Sequence, residues 1–180
     1  METNMKQLLS EIISTEIEMS LLYSDFMCMM QEISLQGFKR YYRCRAKDRV
    51  YHVTMLRNYA IDYLSTNIPL NVPAHVTGAM NGGISSINKI ELALTTDLKY
   101  SNMQIKLLEK AASLAITQDE HALMGYIEDL IKDEEEELKC LNRIIKSWTF
   151  AKEADDTSWY DRTDKAMHKK KKKKEGSEYK

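Results

Sequence analysis

A chain of 180 residues with 43% apolar content has the size of one domain and enough apolar side chain to fill a core. No apolar run approaches the roughly 20 residues that span a bilayer, and the acidic, Met-rich start lacks the basic and apolar segments of a signal peptide, so a cytoplasmic protein without a membrane partner is expected. Its three cysteines, Cys28, Cys44 and Cys140, are odd in number and form no CxxC pair, which argues against a disulfide framework or a thiolate zinc site.

The net charge of −1 hides a division. Residues 165–180 hold eight of the 26 bases and two of the 27 acids, leaving residues 1–164 at about −7 and the tail at +6. Within that tail Lys169, Lys170, Lys171, Lys172, Lys173 and Lys174 form an unbroken run that repels itself, with Gly176 and Ser177 just beyond. A disordered tail is expected there, outside a domain of residues 1–164.

The first helix is predicted over about 5–32, where Leu9, Ile12, Ile13, Ser20, Tyr23 and Met27 recur at steps of three and four and Glu16 falls on the same stripe. A second is predicted over about 35–65, antiparallel to the first across the short turn at Gln36 and Gly37. Its seam runs through Tyr42, Cys44 to Ala46, Val53, Leu56, Ala60 and Tyr63, and contains Arg49 and His52. Residues 67–83 then carry Pro69, Pro73, Gly78, Gly82 and Gly83, which break any helix. Seventeen extended residues reach roughly 56 Å, and a 30-residue helix is about 45 Å long. The connection is therefore long enough to run the length of the bundle, so that helices two and three lie parallel.

A third helix is predicted over about 85–116, with Ile87, Ile90, Leu94, Leu98, Ser101, Ile105, Leu108, Ala112 and Ala115 on its seam. Thr117 and Glu120 read as a capping box opening a fourth helix over about 118–148, where Leu123, Ile127, Leu130, Leu141, Ile145 and Trp148 keep the stripe. Residues 149–164 read equally as a short fifth helix or an irregular arm. No strand signal competes, and the fold class is all-α.

Ionisable groups on apolar stripes need compensation, because an unpaired buried charge costs several kcal/mol. Arg49 with His52, and Glu134 with Glu137, are spaced three apart and so share helix faces, and Glu16 faces them from the first helix. Asp133, Glu135 and Glu136 fall off the stripe and read as a solvated face. Such paired spacings on separate helices match the ligand pattern of carboxylate-bridged metal bundles, but Arg49 puts a fixed positive charge where a carboxylate is wanted. Tyr23, two turns from Glu16, reads equally as a hydrogen-bonding partner of the centre or as core.

Over about residues 5–148 the chain resembles the ferritin and bacterioferritin superfamily. The likeness rests on Glu16 followed seven residues later by Tyr23, on GFKRYY at 37–42 with Arg49-Val50-Tyr51-His52 at the family's ligand spacing, and on LIKDEEEELKCL at 130–141. The resemblance implies a ferritin-like antiparallel four-helix bundle with a long crossover between helices two and three. It further implies that Glu16 and His52 would hold one non-haem iron while Glu134 and Glu137 approach a second, with Tyr23 alongside. The family's two bridging glutamates fall on Arg49 and Ser101, with Asp97 one turn away as a short partial substitute. Val50 stands at the axial methionine position of bacterioferritins, so no haem is expected.

The resulting expectation is an iron-storage protein with a degenerate ferroxidase centre, forming a homo-oligomeric shell, with or without a second, ferroxidase-competent subunit. Two alternatives stand beside it. One is a DNA-associated, mini-ferritin-like protein that binds polyanions through its lysine tail and the stretch Lys39, Arg40, Arg43, Arg45 and Lys47, a stretch that otherwise reads as a solvated surface. The other is an active di-iron or mono-metal oxidase built on Glu16, His52, Asp97, Glu134 and Glu137, with Asp48 nearby.

Overall fold

The computed structural model describes residues 4–69, 85–154, 158–159 and 162–163. Among them four long α-helices carry the chain: α1 (Met5–Glu32), α2 (Gln36–Asp62), α3 (Ser86–Thr117) and α4 (His121–Glu153). Part of the crossover (70–84), with His75, lies outside the described residues, as do His168 and the lysine run Lys169 to Lys174. No helix among the described residues is long and apolar enough to cross a membrane.

The helix ends follow local chemistry. The Asn4 side chain accepts from the Lys6 backbone N–H at 2.9 Å and the Ser85 hydroxyl from that of Asn88 at 3.3 Å, each meeting an orphan donor of a first turn. The capping box expected at Thr117 does not form: Thr117 is the last residue of α3, and its hydroxyl donates back to the Ser113 carbonyl at 2.8 Å. Asp119 then takes φ 60°, a left-handed turn that short polar residues tolerate, and α4 opens at His121. Glu120, free of any capping bond, accepts instead from the Tyr59 hydroxyl at 3.0 Å. The other end of α4 runs past Trp148 to Glu153.

Side-chain contacts fix the register. Along α1 and α3, Glu32 meets Lys89, Tyr23 meets Asp97 and Glu16 meets Gln104, numbers that run in opposite directions. Along α1 and α2, Ser20 meets the Ala46 carbonyl and Glu16 meets Arg49, again antiparallel. Two helices antiparallel to the same partner are parallel to each other, so α2 and α3 run the same way and need the long crossover.

Two apolar clusters fill the bundle. One gathers Met19, Phe26, Met30, Phe38, Tyr42, Leu94, Leu141 and Trp148, and the other Leu9, Ile12, Ile13, Leu56, Leu108, Leu123 and Ile127. The sequence order of each helix places Glu16, Arg45 to His52, Asp97 to Gln104 and Glu134 between them, a polar layer with apolar core on either side. Tyr63 and Ile87, expected on their seams, are exposed: Tyr63 is the residue that caps the end of α2, and Ile87 lies in the first turn of α3. Trp159 is buried against Phe38 and Trp148 and donates its indole N–H to Ser147 Oγ at 2.6 Å, so its indole packs on the bundle.

Candidate metal centre

The polar layer draws on all four helices. α1 supplies Glu16 and Tyr23, α2 supplies Arg45, Arg49 and His52, α3 supplies Asp97, Ser101 and Gln104, and α4 supplies Glu134 and Glu137. Helical spacing explains each set: Arg45, Arg49 and His52 lie at steps of four and three, as do Asp97, Ser101 and Gln104, so each trio forms one stripe. All are buried except Glu137, whose side chain keeps 30% of its surface at the rim.

Two ion-pair groups divide the layer. In the first, Arg49 Nη1 donates to Glu16 Oε1 and Oε2 at 3.4 and 3.3 Å and contacts Glu134 Oε1 as an ion pair. Gln104 donates to Glu16 Oε1 at 2.7 Å, and His52 Nδ1 lies 3.4 Å from the same oxygen without making a hydrogen bond. In the second, Arg45 Nη1 donates to Glu137 Oε2 at 2.9 Å, while its Nη2 donates to Asp97 Oδ1 and Ser101 Oγ, both at 3.1 Å. Tyr23 joins the halves: its hydroxyl accepts from Arg45 at 2.7 Å and donates to Asp97 at 2.8 Å, and the two guanidiniums lie 4.9 and 5.7 Å from its ring centroid.

Arg45 corrects the sequence reading. Grouped with Lys39, Arg40, Arg43 and Lys47 as a solvated basic stretch, it is instead 2% exposed, while Arg43 and Lys47 on either side do face solvent. The available signal was its phase, four residues before Arg49 and three after Tyr42. Gln104 was also missed, although it lies one turn beyond Ser101 on the same stripe. Both Asp97 and Ser101 face the centre, since four residues apart they share a face. Asp48, by contrast, is exposed.

Electrostatics follow from this geometry. Burial works against ionising Glu16, but Arg49, with His52 and Gln104, outweighs it and holds the carboxyl below its ordinary 4.5. Burial likewise opposes charge on both arginines, yet Asp97 for Arg45, and Glu16 with Glu134 for Arg49, keep the guanidiniums charged. Burial, aided by Asp97, raises the Tyr23 phenol and keeps it a donor. Because the folded Glu16 carboxyl ionises at lower pH than the unfolded one, its stabilisation is fully present above about 4.5 and is lost as pH falls through the folded value. Urea unfolding between pH 7 and 3 is expected to show a loss of stability on acidification that Glu16→Gln flattens; equal slopes would contradict this.

As they stand, these residues do not fit a pair of divalent cations. Among the described residues no three His, Cys, Asp or Glu side chains gather so as to hold a metal ion. Guanidiniums take up the carboxylate oxygens that would face metal, and the arginines supply the positive charge that the layer requires.

Comparisons with known proteins bear on the fold that carries this layer. A family model for the ferritin-like domain matches residues 6–150. Among solved structures the chain is similar to the open-pore ferritin of the archaeon Archaeoglobus fulgidus, with a TM-score of 0.72, 15% identity, and 93% of this chain and 97% of that one covered. A closed form engineered from the Archaeoglobus fulgidus ferritin gives 0.71 at 15% identity over 93% and 96%. A variant of PmFTN soaked in iron for 5 min gives 0.69 at 16% identity over 83% and 90%. No curated protein sequence matches significantly.

Proposed function

This chain belongs to the ferritin-like family, and from that premise we propose that it is an iron-storage shell subunit whose own centre does not oxidise Fe(II) at a useful rate. The observation that carries the reading is the pair of buried arginines, Arg45 and Arg49, seated on the four carboxylates of the layer. Iron is here the cargo. An entering Fe(II) ion would have to displace a guanidinium that is already desolvated and paired, at the cost of breaking a buried ion pair. Glu16, Asp97 and Glu134 are thus committed to internal partners.

What remains for the subunit is to build the shell and to offer its acidic body, about −7 over residues 1–164, to cations. A homo-oligomer, alone or mixed with a second subunit that keeps a working centre, is the assembly this role needs. The DNA-binding alternative loses part of its basis on α2, because burial of Arg45 removes one of the five charges of the basic stretch. The oxidase alternative requires the carboxylates that the arginines hold.

Aerobic Fe(II) addition to the purified assembly tests the proposal. We expect oxidation at the rate of a protein-free control and a mass on size exclusion many times that of one chain. Rapid oxidation that Glu16→Ala abolishes would overturn the inactive centre, and a monomer would overturn the shell.

A further inference from the structure

We infer that the polar layer is a binding site for small neutral molecules that both donate and accept hydrogen bonds, with water as the resident ligand and the Tyr41 and Tyr42 hydroxyls among its donors. This holds whether or not the subunit stores iron.

Both halves of the layer leave polar atoms buried without a hydrogen-bond partner. Three are donors, Tyr41 Oη, Tyr42 Oη and Arg45 Nε, and three are acceptors, Asp97 Oδ2, Gln104 Oε1 and Glu134 Oε2. Apart from Tyr41, these residues are at most 2% exposed. His52 Nδ1, likewise unpartnered, can serve either way. Orphan groups of this kind cost stability unless something reaches them, and water or an ion is the usual answer.

Donors and an acceptor crowd together in the Arg45 half. Tyr42 stacks on Tyr23 with ring centroids 5.8 Å apart, the Tyr41 ring lies 5.0 Å from that of Tyr42, and the Arg45 guanidinium is 5.6 Å from the Tyr41 ring. Tyr23 in turn bonds Asp97. Burial first, and Asp97 after it, hold the Tyr42 phenol well above its usual range, and burial raises Tyr41 against the pull of Arg45. Both hydroxyls therefore keep their protons and can donate.

This mixture decides the class of ligand. A cation would meet only the acceptors and leave the hydroxyls and the Arg45 Nε–H bare, while an anion would meet only those donors and lie against Asp97. A molecule with both functions answers both sets. Buried water makes about three bonds to such groups, so six orphan atoms call for roughly two or three waters. Glu137 marks their way in, since it accepts from Arg45 at 2.9 Å and keeps 30% of its side-chain surface in solvent.

A high-resolution crystal structure of the full chain after chelator treatment, with thermal melts of Tyr41→Phe and Tyr42→Phe, tests this. The layer should hold at least two ordered solvent peaks, each within about 3.2 Å of one of these donors and one of these acceptors. Hydroxyls bridged by water contribute to stability, so each Phe variant should melt about 2–4 °C lower than the wild type. Midpoints that stay or rise would show hydroxyls left bare and overturn the inference. So would a layer without ordered solvent, or a peak at the roughly 2.0–2.2 Å of a metal–carboxylate bond. Where a variant fails to fold, the wild-type peaks decide. Iron oxidation enters neither readout, so the storage proposal and this one fail separately.

Discussion

Arg45→Met is expected to destabilise the protein by about 3–5 kcal/mol, the usual cost of removing one member of a buried ion pair. Arg45 donates to Tyr23, Asp97, Ser101 and Glu137, and its loss strands the Asp97 carboxylate in the interior with Tyr23 and Ser101 as its only donors among the bonds seen here. For a chain of this size that corresponds to a fall of about 10 °C in the unfolding midpoint. Arg43→Met, two residues away on the exposed face of α2, should stay within about 0.5 kcal/mol. Denaturant melts of the two variants decide the matter. Equal and small effects would return Arg45 to the solvated basic stretch from which its burial removes it.

The second large effect concerns restoring the centre. From the sequence, Arg49→Glu with Ser101→Glu replaces both missing bridging carboxylates. Arg45 changes that expectation, because its Nη2 lies 3.1 Å from Ser101 Oγ and would pair with any carboxylate placed there. The double variant should therefore take up a single divalent cation per chain, in the half that Arg49 vacates. Adding Arg45→Leu should open the other half, double the stoichiometry, and speed aerobic Fe(II) oxidation at least about tenfold over the wild type, a barrier change of about 1.4 kcal/mol. Calorimetric titration with Mn²⁺ and an oxidation time course read the two quantities. A double variant that already binds two cations would show that Arg45 does not guard its half.

The fold was legible because helix periodicity is a strong signal when it persists for 28 to 33 residues, as it does in α1, α3 and α4. The break at Pro69, Gly78 and Gly82 announced the crossover for an equally physical reason, since neither residue type sustains a helix. Boundaries were less legible. Thr117 and Glu120 satisfy the residue pattern of a capping box, but the backbone places a left-handed Asp119 between the helices and uses Glu120 to bond Tyr59.

Within the layer, Glu16, Arg49, His52 and Glu134 could be picked out because each interrupts an apolar stripe. Arg45 hid for the opposite reason: its neighbours Arg43 and Lys47 are charged, so a charge run masked its phase. Gln104 hid because an uncharged amide does not stand out beside Ser101. The pairing of carboxylates with arginines is not written in either spacing, since it depends on which side chains the four helices bring opposite one another. Its result is that a layer with two guanidiniums among four carboxylates can be closed without metal, which no single helix reveals.

The most direct measurement is a crystal structure of the protein soaked in Fe(II), with anomalous scattering recorded at the iron edge. Arg49 is predicted to remain on Glu16 and Glu134, and Arg45 on Asp97 and Glu137, with no anomalous peak between them. Iron peaks among Glu16, His52, Glu134 and Glu137, with the arginines swung out of the layer, would contradict the account.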